Sequence, residues 1–138
     1  MKEIKIATGL EEYRLNDKCT VSFNPSDPAF ADRLYSGLEN LQKKQEQKEN
    51  DVEKMSPRET FDYVEKLNAE MRETIDGIFN APVCDNVFGD MSLYAFADGA
   101  PLWYNLLAAI LDVLDESLKR EKMFHSDRLS KYTKKYQK

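Results

Sequence analysis

Ser56-Pro57-Arg58-Glu59, followed by Phe61, Val64, Asn68, Met71, Ile75 and Ile78, is the stretch on which the fold turns. The serine oxygen can accept from a free amide at a helix start. The proline sits where its missing N–H costs nothing, and the glutamate three residues after the serine completes a capping box. The apolar residues that follow recur at three and four and line one face of a helix of about six turns. Gly77 and Asn80-Ala81-Pro82 end it. The spacing predicts a helix over 57–79.

Upstream, Asp27-Pro28 repeats the device of a capping side chain before an N1 proline. Phe30, Leu34, Leu38 and Leu41 then share one face, which predicts a helix over 28–54 that forms an antiparallel hairpin with the first. From Gln42 to Asp51 every position is polar, so this part is expected to project into water or lie against a partner. Val52 and Met55 resume the spacing if Gln45 and Lys48 are counted through, a heptad-like register with a polar middle.

Before residue 24 the period changes to two. Ile4 and Ile6, Tyr13 and Leu15, then Cys19, Val21 and Phe23 alternate with polar residues, and Thr8-Gly9 and Asn16-Asp17 supply turns. Downstream, residues 82–98 read as a short helix, a turn at Gly89 and a buried connector. Leu102, Trp103, Leu106, Leu107, Ile110, Leu111, Leu114 and Leu118 then mark a long apolar helix, expected at the centre of the fold and running to about Phe124. The fold class is mainly α with a small N-terminal antiparallel β hairpin or meander (α+β), a helical hairpin plus a long apolar C-terminal helix. Residues 1–125 form one domain, and 126–138 a basic tail.

The 138 residues carry 20 Lys and Arg against 25 Asp and Glu, a net charge of −5. Residues 119–138 hold eight of those bases and two acids, so a body at −11 ends in a segment at +6. The longest apolar run, 100–111, is interrupted by Asn105 and falls well short of the roughly twenty residues that cross a bilayer. The N-terminus lacks the apolar block of a secretory signal, and two cysteines make no disulfide framework. The expected location is the cytoplasm.

Catalytic constellations are sparse. His125 is the one histidine, so neither a His metal cage nor a base for Cys19 or Cys84 stands close in sequence, and the Asp85 carboxylate beside Cys84 disfavours a thiolate. Gly9, Gly37, Gly77, Gly89 and Gly99 are too scattered for a phosphate-binding loop. Asp112, Asp115 and Glu116 could share a cation, but a solvated helix face accounts for them; Asp90 and Asp98 read as turn residues. The expectation is a protein that is no enzyme and holds no cofactor or metal. The C-terminal segment carries more weight. Leu129, Tyr132 and Tyr136 fall on one side of a helix among Arg128, Lys131, Lys134, Lys135 and Lys138. Leu129, Lys131, Tyr132, Lys134, Lys135 and Tyr136 are therefore the candidate partner-binding residues. Docking on a protein is favoured over nucleic acid, because nucleic-acid binders usually carry positive charge on the domain as well.

Several strings resemble a family of small proteins encoded in the tail-morphogenesis region of phages and prophages of Gram-positive bacteria. They are Val21-Ser22-Phe23-Asn24-Pro25-Ser26-Asp27, Ala69-Glu70-Met71-Arg72-Glu73, Val87-Phe88-Gly89-Asp90-Met91, Tyr94-Ala95-Phe96-Ala97-Asp98-Gly99, Leu102-Trp103, and Lys131-Tyr132-Thr133-Lys134-Lys135-Tyr136. The likeness covers nearly the whole chain and involves no catalytic residues. It implies a structural or assembly role, like that of the tail assembly chaperones that coat a tape-measure protein before tail-tube subunits replace them. Tape-measure or tail-tube proteins would be its partners, self-association would be usual, and it would act in the host cytoplasm or remain in the virion.

Overall fold

Residues 11–23 form the β hairpin. The computed structural model describes the backbone of residues 1–136 and the side chains of residues 1–120. Strand β1 (Glu11–Leu15) pairs antiparallel with β2 (Cys19–Phe23), placing Tyr13 opposite Val21 and Leu15 opposite Cys19. Asn16 and Asp17 make the turn with φ of 52° and 56°, the left-handed geometry that suits the right-handed twist of the strands. Phe23 stacks on Tyr13 at 4.5 Å and on Phe30 at 4.3 Å, which fastens the hairpin to the first long helix. The meander is not formed. Residues 1–10 lie in no strand, and Ile4 and Ile6 are 84% and 78% exposed.

Helix α1 (Pro28–Asp51) starts where the Asp27 carboxylate accepts from the Ala29 amide at 2.9 Å, and it passes into a 3-10 turn, Val52–Lys54. Phe30, Leu34 and Leu41 are buried and Leu38 is half-buried. Helix α2 (Pro57–Phe79) opens on the capping box, in which the Glu59 amide donates to Ser56 Oγ at 3.2 Å and the serine hydroxyl donates to Glu59 Oε1 at 3.1 Å. Asn80 ends it with φ of 51°. The two helices run antiparallel, with Gly37 against Ile78, Lys44 against Glu70 and Asp51 against Tyr63. Leu67, Met71, Ile75, Ile78 and Phe79 form the buried face of α2. Phe61, expected on that face, is 67% exposed, while the neighbouring Tyr63 and Val64 pack against the core.

Helix α3 (Val83–Phe88) and a turn at Gly89 (φ 58°) lead to a small β ladder, β3 (Phe96–Ala97) with β4 (Ala100–Pro101). Helix α4 (Leu102–Tyr136) follows directly. Leu102, Trp103, Leu106, Leu107, Ile110 and Leu114 reach the core, but Leu118 is 50% exposed, and Tyr104, Asp112, Asp115 and Glu116 face water. The expectation of a long apolar helix is corrected: α4 is long, and its apolar contact with the body ends near Leu114. Nor is α4 central. Helix α1 packs along both α2 and α4, since its heptad-like stripe is the one with neighbours on two sides. The helical backbone continues through the expected boundary at 125 to Tyr136. The chain is thus mainly helical with a small N-terminal antiparallel hairpin, and among the described residues no helix is long and apolar enough to cross a membrane.

Candidate interaction surface

The polar middle of α1 does not project into water along its inward side. Trp103 is buried and donates its indole N–H to Gln45 Oε1 at 3.0 Å. The Tyr94 hydroxyl donates to the Lys44 carbonyl at 3.0 Å, and the Lys48 ammonium lies 5.1 Å from the Tyr94 ring centroid. Lys44 also pairs with Glu70 at 2.8 Å and holds that carboxyl below the usual carboxylate range. Sequence reading found the register through Gln45 and Lys48 but assigned those residues to solvent or a partner. Their actual partners are Trp103 on α4 and Tyr94 in the segment after α3.

A second polar knot holds the connector. Arg72 on α2 donates to Asp85 at 2.8 Å and to the carbonyls of Gly89 and Met91, each at 2.6 Å. The Leu93 amide donates to Asn68 Oδ1 at 2.8 Å. Cys84 is fully buried beside this knot, its own amide bonded to Asp76 at 3.0 Å. Burial and then the Asp76 carboxylate push the thiol up to about 12, so at neutral pH it is a core group rather than a nucleophile. Cys19 is half-buried, and burial raises its thiol as well.

The opposite end of α1 presents the surface best suited to contact. Between the start of α1 and the middle of α4 runs an open groove of about 240 Å³, with Pro25, Ala31, Tyr35, Leu114 and Leu118 on its walls and Asp115 at its edge. Tyr35 and Leu118 are 51% and 50% exposed, so two large apolar side chains stand half in water on facing walls. Asp112 and Glu116 are exposed on α4. Sequence reading missed Tyr35, because it lies one residue off the Phe30, Leu34, Leu38 stripe and lines a groove only through the position of α4.

The acidic trio Asp112, Asp115 and Glu116 does not converge with other ligands. Among the described residues there is no group of three or more His, Cys, Asp or Glu side chains placed to hold a metal ion. Asp98 is an exposed turn residue with φ of 53°. Of the candidate partner-binding residues, Leu129, Lys131, Tyr132, Lys134, Lys135 and Tyr136 stand on the helical backbone of α4, and their side chains lie outside the described residues. Comparison of the chain with protein-family models, curated proteins and solved structures finds no match.

Proposed function

We propose that this chain is an assembly protein of the tail-morphogenesis region of a phage or prophage, acting by protein contact in the manner of a tail assembly chaperone. One observation carries the reading. Two pairs of the strings that resemble the tail-region family bond to one another in the folded chain. Arg72, from the second string, holds the Gly89 and Met91 carbonyls of the third. The Leu102 amide donates to the Ala95 carbonyl at 2.8 Å, joining the fourth and fifth. In the first string, Asn24 Oδ1 accepts from the Ser26 amide at 2.8 Å and Asp27 caps α1. The resembling strings thus include residues that hold the fold together, which supports reading the likeness as one of whole proteins. The groove between α1 and α4 suits a protein partner, being mostly apolar with an acidic edge.

The test is co-expression of the full chain with the tape-measure protein of the same phage or prophage. Copurification, together with a larger soluble fraction of the tape-measure protein, is the expected result. Absence of copurification, with salt-sensitive retention of DNA by the full chain, would replace this reading with nucleic-acid binding through the basic segment.

A further inference from the structure

Met1, Ile4, Ile6 and Leu10, four of the first ten residues, are large, apolar and exposed. Single apolar residues at a surface need no explanation, but several together mark a contact. The base of this segment is fixed. The Asn24 side-chain amide donates to the Thr8 carbonyl at 2.9 Å, and Gly9 turns there with φ of 73°, so close to Asn24 that a Cβ would come within 2.6 Å of its Nδ2. Gly9 borders a hollow with Pro25, Ser26, Ser117 and Arg120. Pro25 and Ser26 also line the groove between α1 and α4, whose α4 wall carries Leu114, Asp115 and Leu118. The arm of residues 1–8 therefore springs from the rim of an open, mostly apolar groove.

We infer that this arm closes over the groove of its own chain as an extended strap, with Ile6 seated against Leu118 and Ile4 against Leu114 and Tyr35. The spacings match. Two residues of extended chain advance about 7 Å and keep both isoleucines on one side. Leu114 and Leu118 stand about 6 Å apart along their helix axis, as do Ala31 and Tyr35. The order matches as well. Ser117 and Arg120 on α4, with Pro25 and Ser26 before α1, border the fixed base, so Leu118 and Ala31 lie at the near end of the groove and Leu114 and Tyr35 farther along. Measured from Thr8, Ile6 reaches about 7 Å and Ile4 about 13 Å, in the same sequence. Charge adds to the fit, because Lys2 and Lys5 outweigh Glu3 while Asp115 stands at the groove edge with Asp112 a turn away. A tether this short holds the isoleucines beside the groove at an effective concentration on the order of millimolar. Closure covers Tyr35 and Leu118, so a protein that uses the groove has to displace the strap first. The closure itself stands apart from the tail-assembly reading.

The experiment places isotope labels on the isoleucine methyls of the full chain, with Ile4 and Ile6 assigned from the signals lost in Ile4→Val and Ile6→Val. Nuclear Overhauser contacts from the Ile4 methyl to the Tyr35 ring are expected. Limited trypsin digestion gives a second reading, because cleavage after Lys5 requires an open arm. Tyr35→Ser and Leu118→Ser change exposed positions on the groove walls and leave the cleaved sequence intact. Each should speed cleavage after Lys5 about tenfold, the change expected when an arm closed about nine-tenths of the time is released. Cleavage after Lys66, inside α2, should keep its rate and so separates arm opening from unfolding. Absence of the methyl contact to Tyr35 overturns the inference. So does a rate of cleavage after Lys5 that neither substitution raises relative to cleavage after Lys66.

Discussion

The indole N–H of Trp103, at the start of α4, donates to the side-chain oxygen of Gln45, midway along α1, at 3.0 Å and across 58 residues of sequence. Trp103 is 4% exposed, so this bond answers a buried donor that no water reaches. With the Tyr94 and Glu70 contacts to Lys44, it ties the polar stretch of α1 to the body.

Gln45→Ala leaves that donor unpaired and should destabilise the protein by about 1–3 kcal/mol. Gln47→Ala, on the exposed side of the same turn, should change stability by less than about 0.5 kcal/mol. Urea denaturation of both variants checks the pair. Equal midpoints would mean that the Trp103 contact contributes nothing.

Ser56→Ala should cost about 1 kcal/mol, the usual loss when a capping oxygen disappears. Ser56→Asp should retain most of the stability, since its carboxylate can accept from the same amide and favours the positive end of the α2 dipole. Thermal midpoints of the two variants decide this.

Gly37 and Gly77 should respond in opposite senses although both lie inside helices. A Cβ at Gly37 would come within 2.5 Å of Ile78 Cδ1, whereas at Gly77 it would meet nothing within 4 Å. Gly77→Ala should therefore stabilise by about 0.5–1 kcal/mol through helix propensity. Gly37→Leu should destabilise by about 1–3 kcal/mol by forcing α1 and α2 apart. Denaturant titrations that moved both midpoints the same way would contradict the close approach at Gly37.

Alkaline pH should unfold the chain earlier than ordinary side-chain titration predicts. Burial, with the Asp76 carboxylate, pushes Cys84 from 9.0 to about 12. Burial and the bond to Glu11 push Tyr13 from 10.0 to about 12, and the bond to Asp51 does the same for Tyr63. In each case the folded state holds its proton more tightly than the unfolded one, so the stabilisation is complete below the unfolded value and is lost as pH rises toward 12. Between pH 9 and 12 the buried Cys84 thiol can remove up to about 1.4 kcal/mol per pH unit, and the more exposed phenols much less because solvent screens them. Denaturation midpoints measured from pH 8 upward should fall, and Cys84→Ala should flatten the earliest part of the decline. A level profile would show that the thiol and phenols titrate freely.

Local chemistry made much of the architecture legible without coordinates. Ser56-Pro57-Arg58-Glu59 and Asp27-Pro28 determined where two helices begin, because capping depends on residues within one turn. Asn16-Asp17 placed the hairpin turn through its tolerance of positive φ, and the three-and-four spacing of Phe30, Leu34 and Leu41 named the buried face of α1. What those patterns lacked was the identity of each neighbour. Gln45 and Lys44 read as facing solvent or a partner because polarity is all that sequence records of them, and only the approach of Trp103, Tyr94 and Glu70 turns them into half-buried partners within the chain. Phe61 carries the spacing of a core residue yet stands exposed while Tyr63 and Val64 take its place against the core, and Leu118 stands exposed because a helical stripe is buried only as far as another element extends beside it. The groove of Tyr35 and Leu118 follows the same logic. Its walls come from two helices whose juxtaposition depends on long-range packing, which no local periodicity encodes.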